Sequence, residues 1–475
     1  MISMVLLSAF MTQAAVGGSV EVLTYEQAIK EAHEKNLDLK AAQARLDQAH
    51  EISRKAWAGY LPTLVASGAY TRNQYESSIS LPTGYWVRTL DPNTPAGVLQ
   101  SMNGPPGDPT RPPSTPPDVS NPPGNPSQDV IFPSGFETAV IQPKNQLVGQ
   151  IQLTQALLVP PLWAAISTSY TAEKVAVLTV DSVQREVLFA VAQLYYGAVG
   201  LKQALAAQQW LLDTTKAHEH DAGTRVKAGA MPRISLIRAE IDRARAEQDL
   251  QRSQNALASA KIALGTMLQR QGEFDVEQPT EPTVVADEKA LEEAALKDRP
   301  DVAAARASID LAGGQKTGTW LQYLPSIFGN AVYKYANFAG FSNTNTSWAL
   351  TVAASWTLWD GGLRESSLRE TEAKLVEARA TARSTELKAI DDVQRSLLDL
   401  ESARANRQKA EEQLNLAREN NRLVEVNYNS GVATQLDVTD ATTQLTTAEL
   451  GAIGERLNSQ LAALRLLKAA GAFNP

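Results

Sequence analysis

"LKAAQARLDQAHEISRKAWAGYLPTLVASGAY", residues 39–70, and "VAAARASIDLAGGQKTGTWLQYLPSIFGNAVY", residues 302–333, are two versions of one segment. A single offset of 263 pairs Asp38 with Asp301, Trp57 with Trp320, Tyr60-Leu61-Pro62 with Tyr323-Leu324-Pro325, and Tyr70 with Tyr333. Each version opens as an Ala-rich helix and stops at a proline, which has no backbone donor to continue it. Beyond the proline the apolar period switches to two, as in a half-exposed strand. A repeat on this scale predicts a doubled unit rather than a string of unrelated domains.

A second pair of blocks extends the match. "LTQALLVPPLWAAI" (153–166) faces "AASWTLWDGGLRESS" (353–367) at an offset of about 201, and Gly229 corresponds to Gly431. Residues 21–280 then form the first repeat and 281–475 the second. The two offsets differ by about 62 residues, all between Tyr70 and Leu147. That interval, 71–146, holds 15 of the 24 prolines, many within "GPPGDPTRPPSTPPDVSNPPGNPSQ" (104–128). Such a run favours extended polyproline. Its position inside a repeat makes it a loop insertion in one copy, not a linker between copies.

Four strands of about ten residues follow from the alternation. Leu64, Ala66, Gly68 and Tyr70 share a face opposite Thr63, Ser67 and Thr71; Leu147, Ile151, Leu153 and Leu157 lie opposite Gln150, Gln152 and Thr154. In the second repeat Tyr333 and Tyr335 share a face, and Trp348, Leu350, Val352, Trp356 and Leu358 oppose Thr351, Ser355 and Thr357. The pattern fits a soluble sandwich with the apolar face inward, and equally a membrane barrel with that face toward lipid. Tyr60, Tyr70, Tyr323, Tyr333, Trp356 and Trp359 suit the aromatic girdles of such a barrel.

Each strand pair leads into a long helical hairpin. Thr24 and Gln27 form a capping-box pattern at the start of the first repeat. After the breaks at Pro160-Pro161 and Gly361-Gly362, stripes recur at spacings of three and four: Val180, Val183, Val187, Ala190, Leu194, Ala198, Leu201 and Leu205, then Leu387, Ile390, Val393, Leu397 and Leu400. Gly229 and Gly431 mark the turns that send a second helix back. Four strands cannot close a membrane barrel, for which the smallest number is eight. An oligomer resolves this: two copies supply eight strands and three supply twelve.

Composition removes several function classes. The net charge of −8, with no basic stripe, gives nucleic-acid binding no electrostatic support. With no cysteine there are no disulfides and no thiolate metal sites. His218 and His220 are two residues apart on a helix and diverge, so they read as solvated rather than metal-binding. "GGQKTG" (313–318) lacks the spacing of a phosphate loop and is expected to loosen its helix near a packing partner. No catalytic constellation, metal set or cofactor motif is visible. "MISMVLLSAFMTQAAVGGSV" (1–20) reads as a signal peptide whose basic n-region is missing. No later segment offers about 18 uninterrupted apolar residues, so no transmembrane helix is expected.

With repeat, strands and hairpins in place, the chain resembles the TolC-like outer membrane efflux proteins from Leu23 to Ala470, the insertion excepted. The most specific segments are the paired "YLPT" and "YLPS" junctions, "WTLWDGG", and "NYNSGVATQLDVTDATTQL" (427–445). The resemblance implies a mainly α fold with a β-barrel part. Three chains would form a twelve-stranded outer-membrane barrel continued by an α-helical periplasmic tunnel. It implies passive export: a homotrimer in outer membrane lipid takes substrates from a periplasmic adaptor and an inner-membrane pump of RND or ABC type. Small-molecule efflux and type I secretion both remain open. The competing class is a periplasmic or surface coiled-coil scaffold without a channel.

Residue roles also come from the resemblance. Ala228-Gly229-Ala230 and Ser430-Gly431-Val432 match the hairpin tips where adaptors dock. Asp437 and Asp440 match the aspartates that ring the closed entrance, and Tyr428 a tyrosine beside them. Three residues apart, the two aspartates share a helix face. In a trimer six carboxylates would attract cations and raise one another's pKa. The arginine of the family's entrance lock is Ala433 here and its aspartate is Ser235, so that salt bridge is absent. Arg233 and Tyr428 are the candidate gate contacts in its place. Tyr70, Tyr333, Trp356 and Trp359 are the expected membrane-interface aromatics.

Overall fold

A computed structural model describes residues 21–89, 99–101, 129–284, 287–339 and 344–473. The expected signal segment and the proline run at 104–128 lie outside the described residues. Along the chain the elements are β1 (Glu21–Leu23), α1 (Tyr25–Lys35), α2 (Leu37–Ala58), β2 (Thr63–Arg72), β3 (Ser77–Thr89), β4 (Leu99–Ser101), β5 (Asp129–Gln142), β6 (Asn145–Leu158), α3 (Pro160–Lys227) and α4 (Arg233–Leu268). They continue with β7 (Phe274–Val276), α5 (Glu288–Asp298), α6 (Pro300–Leu321), β8 (Ser326–Ala336), β9 (Thr346–Ser355), α7 (Leu363–Asn429) and α8 (Gln435–Ala469). The chain is mainly helical and divides into two compact units.

One unit, Trp57–Trp163 with Leu321–Gly361, holds the sheets. Its larger sheet has four antiparallel strands in the order β2-β6-β8-β9. Register places Leu64, Leu153, Ala331 and Leu350 side by side, and Ala66, Ile151, Tyr333 and Trp348 in the row below. These rows build one apolar face, and it stays bare: Trp348 is 77% exposed, Leu350 73% and Leu64 70%. On the opposite face Thr154 Oγ1 donates to Asn330 Oδ1 at 2.9 Å, and Gln152 Nε2 donates to Thr154 Oγ1 at 3.4 Å. The expected strands are all present, but β9 ends at Ser355, so Trp356 and Leu358 fall beyond the strand expected to hold them. Among the described residues the face that would be the core of a sandwich has nothing packed over it.

Sequence periodicity missed a second sheet. Within the insertion β3 pairs with β5 from Ser77–Gln142 to Thr89–Asp129, and β4 adds a short third strand. The hairpin of β2 and β6 leads straight into this ribbon, because Asn73 N–H donates to Lys144 O and Asn73 Nδ2 to Pro143 O, both at 2.8 Å. Prolines within "SSISLPTGYWVRT" and "DVIFPSGFETAVIQ" argue against strand; on an edge they are tolerated where no ladder donor is needed. The register shifts at Pro82 and Gly84 absorb one of them.

The other unit comprises the described residues up to Ala56, Ala164–Trp320, and those from Gly362 on. α3 and α7 have 68 and 67 residues and would each extend about 100 Å at 1.5 Å per residue. α3 begins at the paired prolines, which suit a first helical turn whose donors are unpaired anyway. α7 begins after Gly361 and Gly362, at φ of +74° and +90°, a conformation costly for any residue with a Cβ. The capping box at Thr24 and Gln27 forms as expected. The helix after it is interrupted at Asn36, whose Oδ1 accepts from Asp38 and Leu39 N–H while its Nδ2 donates to Met267 O.

The core of this unit lies where α1, α3, α4, α8 and the parallel pair β1–β7 meet. Tyr195, Val191, Leu264, Leu268, Leu23 and Val276 are fully buried there. The Tyr195 hydroxyl stands within 2.8 Å of Leu23 O and Glu277 O and accepts from Glu277 N–H at 3.2 Å. Here α3 is enclosed on most sides, so the buried set is broader than the expected stripe. Val187 and Ala198 are buried as expected, while Val191 and Tyr195 contribute more. In α7 the buried positions Val393, Leu400, Leu414, Asn421 and Tyr428 fall on a seven-residue repeat; the expected Leu387 is exposed. α8 answers with Gln435, Val438, Thr442, Leu445, Ala452, Ser459 and Leu466, at spacings of three, four and seven.

α6 passes "GGQKTG" without a break, so the glycines do not loosen it. They form a contact surface: a Cβ on Gly314 would stand 2.3 Å from Thr168 Cγ2, and one on Gly318 3.3 Å from Ala164 Cβ. At the start of the same helix Arg299 grips Asp301 at 2.8 Å and Asp392 at 3.0 Å. Burial alone would raise the Asp301 carboxyl, but the hydrogen bonds and charge of Arg299 outweigh it and hold the pKa below the ordinary value. The same balance holds for Asp275 between Lys202 and Lys261. A carboxyl with a depressed folded pKa stabilises above its unfolded pKa, near 3.9, and loses that contribution as pH falls through the folded value. Melting temperature is therefore expected to drop between about pH 5 and 2. Asp301→Asn and Asp275→Asn, each already weakened at neutral pH, are expected to show a shallower acid fall in a pH series of thermal melts.

Candidate functional site

The two long hairpins turn at matching five-residue links. Gly229 and Gly431 adopt φ of +73° and +77°, and nothing lies within 4 Å of the Cβ each lacks. Their requirement is conformational rather than steric. Ala228 N–H donates to Thr224 O, Gly229 N–H to Val226 O and Ala230 N–H to Arg225 O. In the second turn Ser430 and Gly431 N–H donate to Val426 and Tyr428 O, and Val432 N–H to Asn427 O. Val432 is 78% exposed and Leu436, in the first turn of α8, is exposed too, so this tip presents apolar surface.

Beyond the second turn Thr434 caps α8. Its side chain accepts from Asp437 N–H at 3.3 Å, and Asp437 Oδ2 accepts from both Thr434 N–H and Thr434 Oγ1 at 2.7 Å. These hydrogen bonds from Thr434 hold the Asp437 carboxyl below its ordinary pKa. Like-charge repulsion was expected to push such carboxylates up; within one chain the cap has the opposite effect. Asp437 and Asp440 are both exposed, one helical turn apart.

Tyr428 is buried and belongs to a contact between α7 and α3. Its hydroxyl donates to Asp221 Oδ2 at 3.1 Å, Arg225 pairs with Asp221 at 2.9 Å, and the Arg225 guanidinium lies 4.5 Å from the Tyr428 ring centre. Burial raises the Tyr428 hydroxyl pKa, Arg225 opposes, and Asp221 adds to the rise. The other candidate gate residue, Arg233, is exposed at the first turn of α4, and its side chain makes no hydrogen bond or ion pair among the described residues. Sequence reasoning named Tyr428 but missed Asp221 and Arg225. Their i, i+4 spacing was the available signal.

The remaining expected sites divide between exposure and burial. Tyr70, Tyr333, Trp356 and Trp359 are all exposed on the sheet unit. Tyr70 donates to Asn145 Oδ1 at 3.0 Å, and Trp356 Nε1 donates to Tyr323 O at 3.0 Å. His218, expected to be solvated, is instead half-buried beside a groove, whereas His220 is exposed. His218 and His220 do point to different surroundings.

Residues 291–472 match the family model described as outer membrane efflux protein. No curated protein matches the chain in sequence. Among solved structures it is similar to the outer membrane protein VceC of Vibrio cholerae, with a TM-score of 0.69 and 20% identity over 94% of this chain and 96% of that one. It is also similar to the open state of the MtrE outer membrane channel of Neisseria gonorrhoeae, at 0.70 and 18% over 94% and 88%. For the CmeC outer membrane channel of Campylobacter jejuni the values are 0.70 and 13% over 99% and 94%. The second part of the chain, residues 291–472, is thus similar to the outer membrane efflux proteins, and the chain has, over nearly its whole length, the fold of these outer membrane channels.

Proposed function

We propose that the chain is the outer-membrane exit duct of a tripartite efflux or type I secretion system. The observation that carries this reading is the bare apolar face of the four-stranded sheet, together with the unpaired edges of β2 and β9. A monomer in water would leave both as aggregation hazards. Three copies joined edge to edge supply twelve strands with one apolar exterior and a lumen of Thr, Gln and Asn, and their long hairpins supply the tunnel wall. The likeness of the helix–strand–strand–hairpin series in the two halves supports descent from a duplicated unit. The exposed tips at Ala228–Ala230 and Ser430–Val432 are the docking points for a periplasmic adaptor, which passes substrate from the inner-membrane pump. Asp437 and Asp440 of three chains ring the entrance. Fractionation tests the reading: recovery in the outer membrane with heat-modifiable migration is expected, and full solubility in a periplasmic extract would refute it.

In this duct the Tyr428–Asp221–Arg225 contact ties α7 to α3 beside the entrance and takes the place of the missing arginine–aspartate lock. One such hydrogen bond is worth about 0.5–1.5 kcal/mol, and three copies acting together roughly three times that. Tyr428→Phe and Asp221→Asn are expected to raise the basal single-channel conductance or open probability in planar bilayers. Arg233→Ala is expected to leave both near wild type. Wild-type behaviour in the first two variants would remove this contact from the gate.

A further inference from the structure

We infer that the groove between α3, α4 and α8 binds a linear polyamine, a flexible cation with an ammonium group at each end. The groove encloses about 250 Å³. It adjoins the second hairpin turn but includes none of the turn residues and neither Asp437 nor Asp440, and it does not depend on the duct reading.

Its lining is rich in acceptors. Along α8 its polar residues are Gln435, Thr439, Thr442, Thr443, Thr446 and Thr447. Four threonine hydroxyls spend their proton on a helix carbonyl one turn back: Thr443 on Thr439 O, Thr446 on Thr442 O, Thr447 on Thr443 O, and Thr215 of α3 on Leu212 O. Thr439 donates to Asp242 Oδ2 and Thr442 to Asn421 Oδ1. With its single proton committed, each hydroxyl offers a visitor only lone pairs.

Two glutamines add unpartnered acceptors. Gln208 and Gln435 are 8% and 7% exposed, both line the groove, and the Oε1 of each is buried without a hydrogen-bond partner. Orphaned buried acceptors are rare and costly, and a donor supplied from outside relieves them.

The carboxylates give the ligand its length. Asp242 and Asp249 lie seven residues apart on α4, about 10 Å along one helix face. The Thr439–Asp242 bond sets Asp242 level with the start of α8, where Gln435 lies. Asp249 and Gln208 lie toward the other end, since α3 runs toward the hairpin turn and α4 and α8 run away from it. Between the ends Leu211, Ala246 and Leu450 offer apolar surface to a hydrocarbon stem. Toward each end the lining thus offers one carboxylate and one orphaned amide oxygen.

Countercharges are few. Among the described residues Arg245 is the one Lys or Arg in the lining. Arg252 holds Asp249 at 3.1 Å in a solvent-exposed pair, which is weak and exchangeable. His218 adds no charge at neutral pH, because burial lowers its pKa against the pull of Glu425, Asp221 and Asp242. A metal ion fits less well, as no cluster of three or more His, Cys, Asp or Glu side chains occurs among the described residues.

The test is calorimetric titration of the full-length, detergent-solubilised protein with spermidine, putrescine and magnesium chloride. Saturable spermidine binding is expected, about tenfold tighter than putrescine, whose ammonium groups are too close together to reach both ends. Asp249→Asn, at the exposed end, is expected to weaken spermidine about tenfold without changing the thermal melt. Gln435→Leu is expected to weaken it while raising stability, since it removes an orphaned acceptor. Equal affinity for spermidine and putrescine, displacement by millimolar magnesium, or unchanged binding in both variants would each overturn the assignment.

Discussion

Leu350→Arg is expected to abolish recovery of the protein from the outer membrane. Leu350 sits at the middle of β9, opposite Ala331 of β8, with its side chain 73% exposed. If water covers that face, an exposed apolar residue changes to a charged one and stability moves by no more than about 0.5 kcal/mol. If lipid covers it, an arginine near the bilayer midplane costs about 2–4 kcal/mol, repeated in every copy of the oligomer. Thr351→Arg supplies the control, because the next residue along a strand points to the opposite face. It is expected to assemble normally and to alter only conduction. The measurement is outer-membrane yield and heat-modifiable migration for both variants. Loss in Leu350→Arg with retention in Thr351→Arg assigns the two faces; equal behaviour would refute the lipid-facing assignment.

Gly314→Leu is expected to give the largest loss of fold stability among single substitutions in the helical unit. Even alanine should be harmful there. In an ordinary helix interior Gly→Ala gains about 0.5–1 kcal/mol, yet a Cβ at 314 would stand 2.3 Å from Thr168 Cγ2. That methyl is not free to swing away, since Thr168 Oγ1 donates to Ala164 O at 2.7 Å and fixes the rotamer. Overpacking of this kind costs about 1–3 kcal/mol, enough to cancel or exceed the helix gain, and leucine adds three further carbons. Thr168→Ser removes the methyl while keeping the hydroxyl. The double variant Gly314→Ala with Thr168→Ser is therefore expected to melt at or above wild type, whereas Gly314→Ala alone melts below the double. A cycle with no coupling between the two positions would show that α3 and α6 do not meet here.

These two positions show what kinds of feature a sequence reveals. Leu350 was legible from alternation alone: period two along "SWALTVAASWTLWD" assigns its face without knowledge of any neighbour. Gly314 was visible as a glycine-rich interruption, but its role was misread, because the reason for a missing Cβ lies in Thr168, nearly 150 residues away. The same division runs through the hairpin turns. Gly229 and Gly431 were found by repeat matching, and their positive φ values are local. The partner of Tyr428 was not found, because Asp221 belongs to another helix and only packing brings them within 3.1 Å. The ribbon of β3 and β5 was missed for a different reason. Its prolines and glycines argue against strand, and its pairing depends on a hairpin already in register from β2 and β6.

By itself the sequence determined that two helices stop within a turn of Pro62 and Pro325, the turns at the two glycines, the faces of four strands, and the heptad spacing of the hairpins. All of these depend on backbone geometry and periodicity over a few residues, which act before distant segments meet. Only the tertiary structure decided which side of the sheet remains uncovered, that α6 packs on α3 through its glycines, that His218 and two glutamine oxygens turn into a groove, and which charge holds Tyr428. Those outcomes depend on burial and on contacts between residues tens to hundreds of positions apart. Desolvation and contact distance, which set their energies, have no value until the chain is folded.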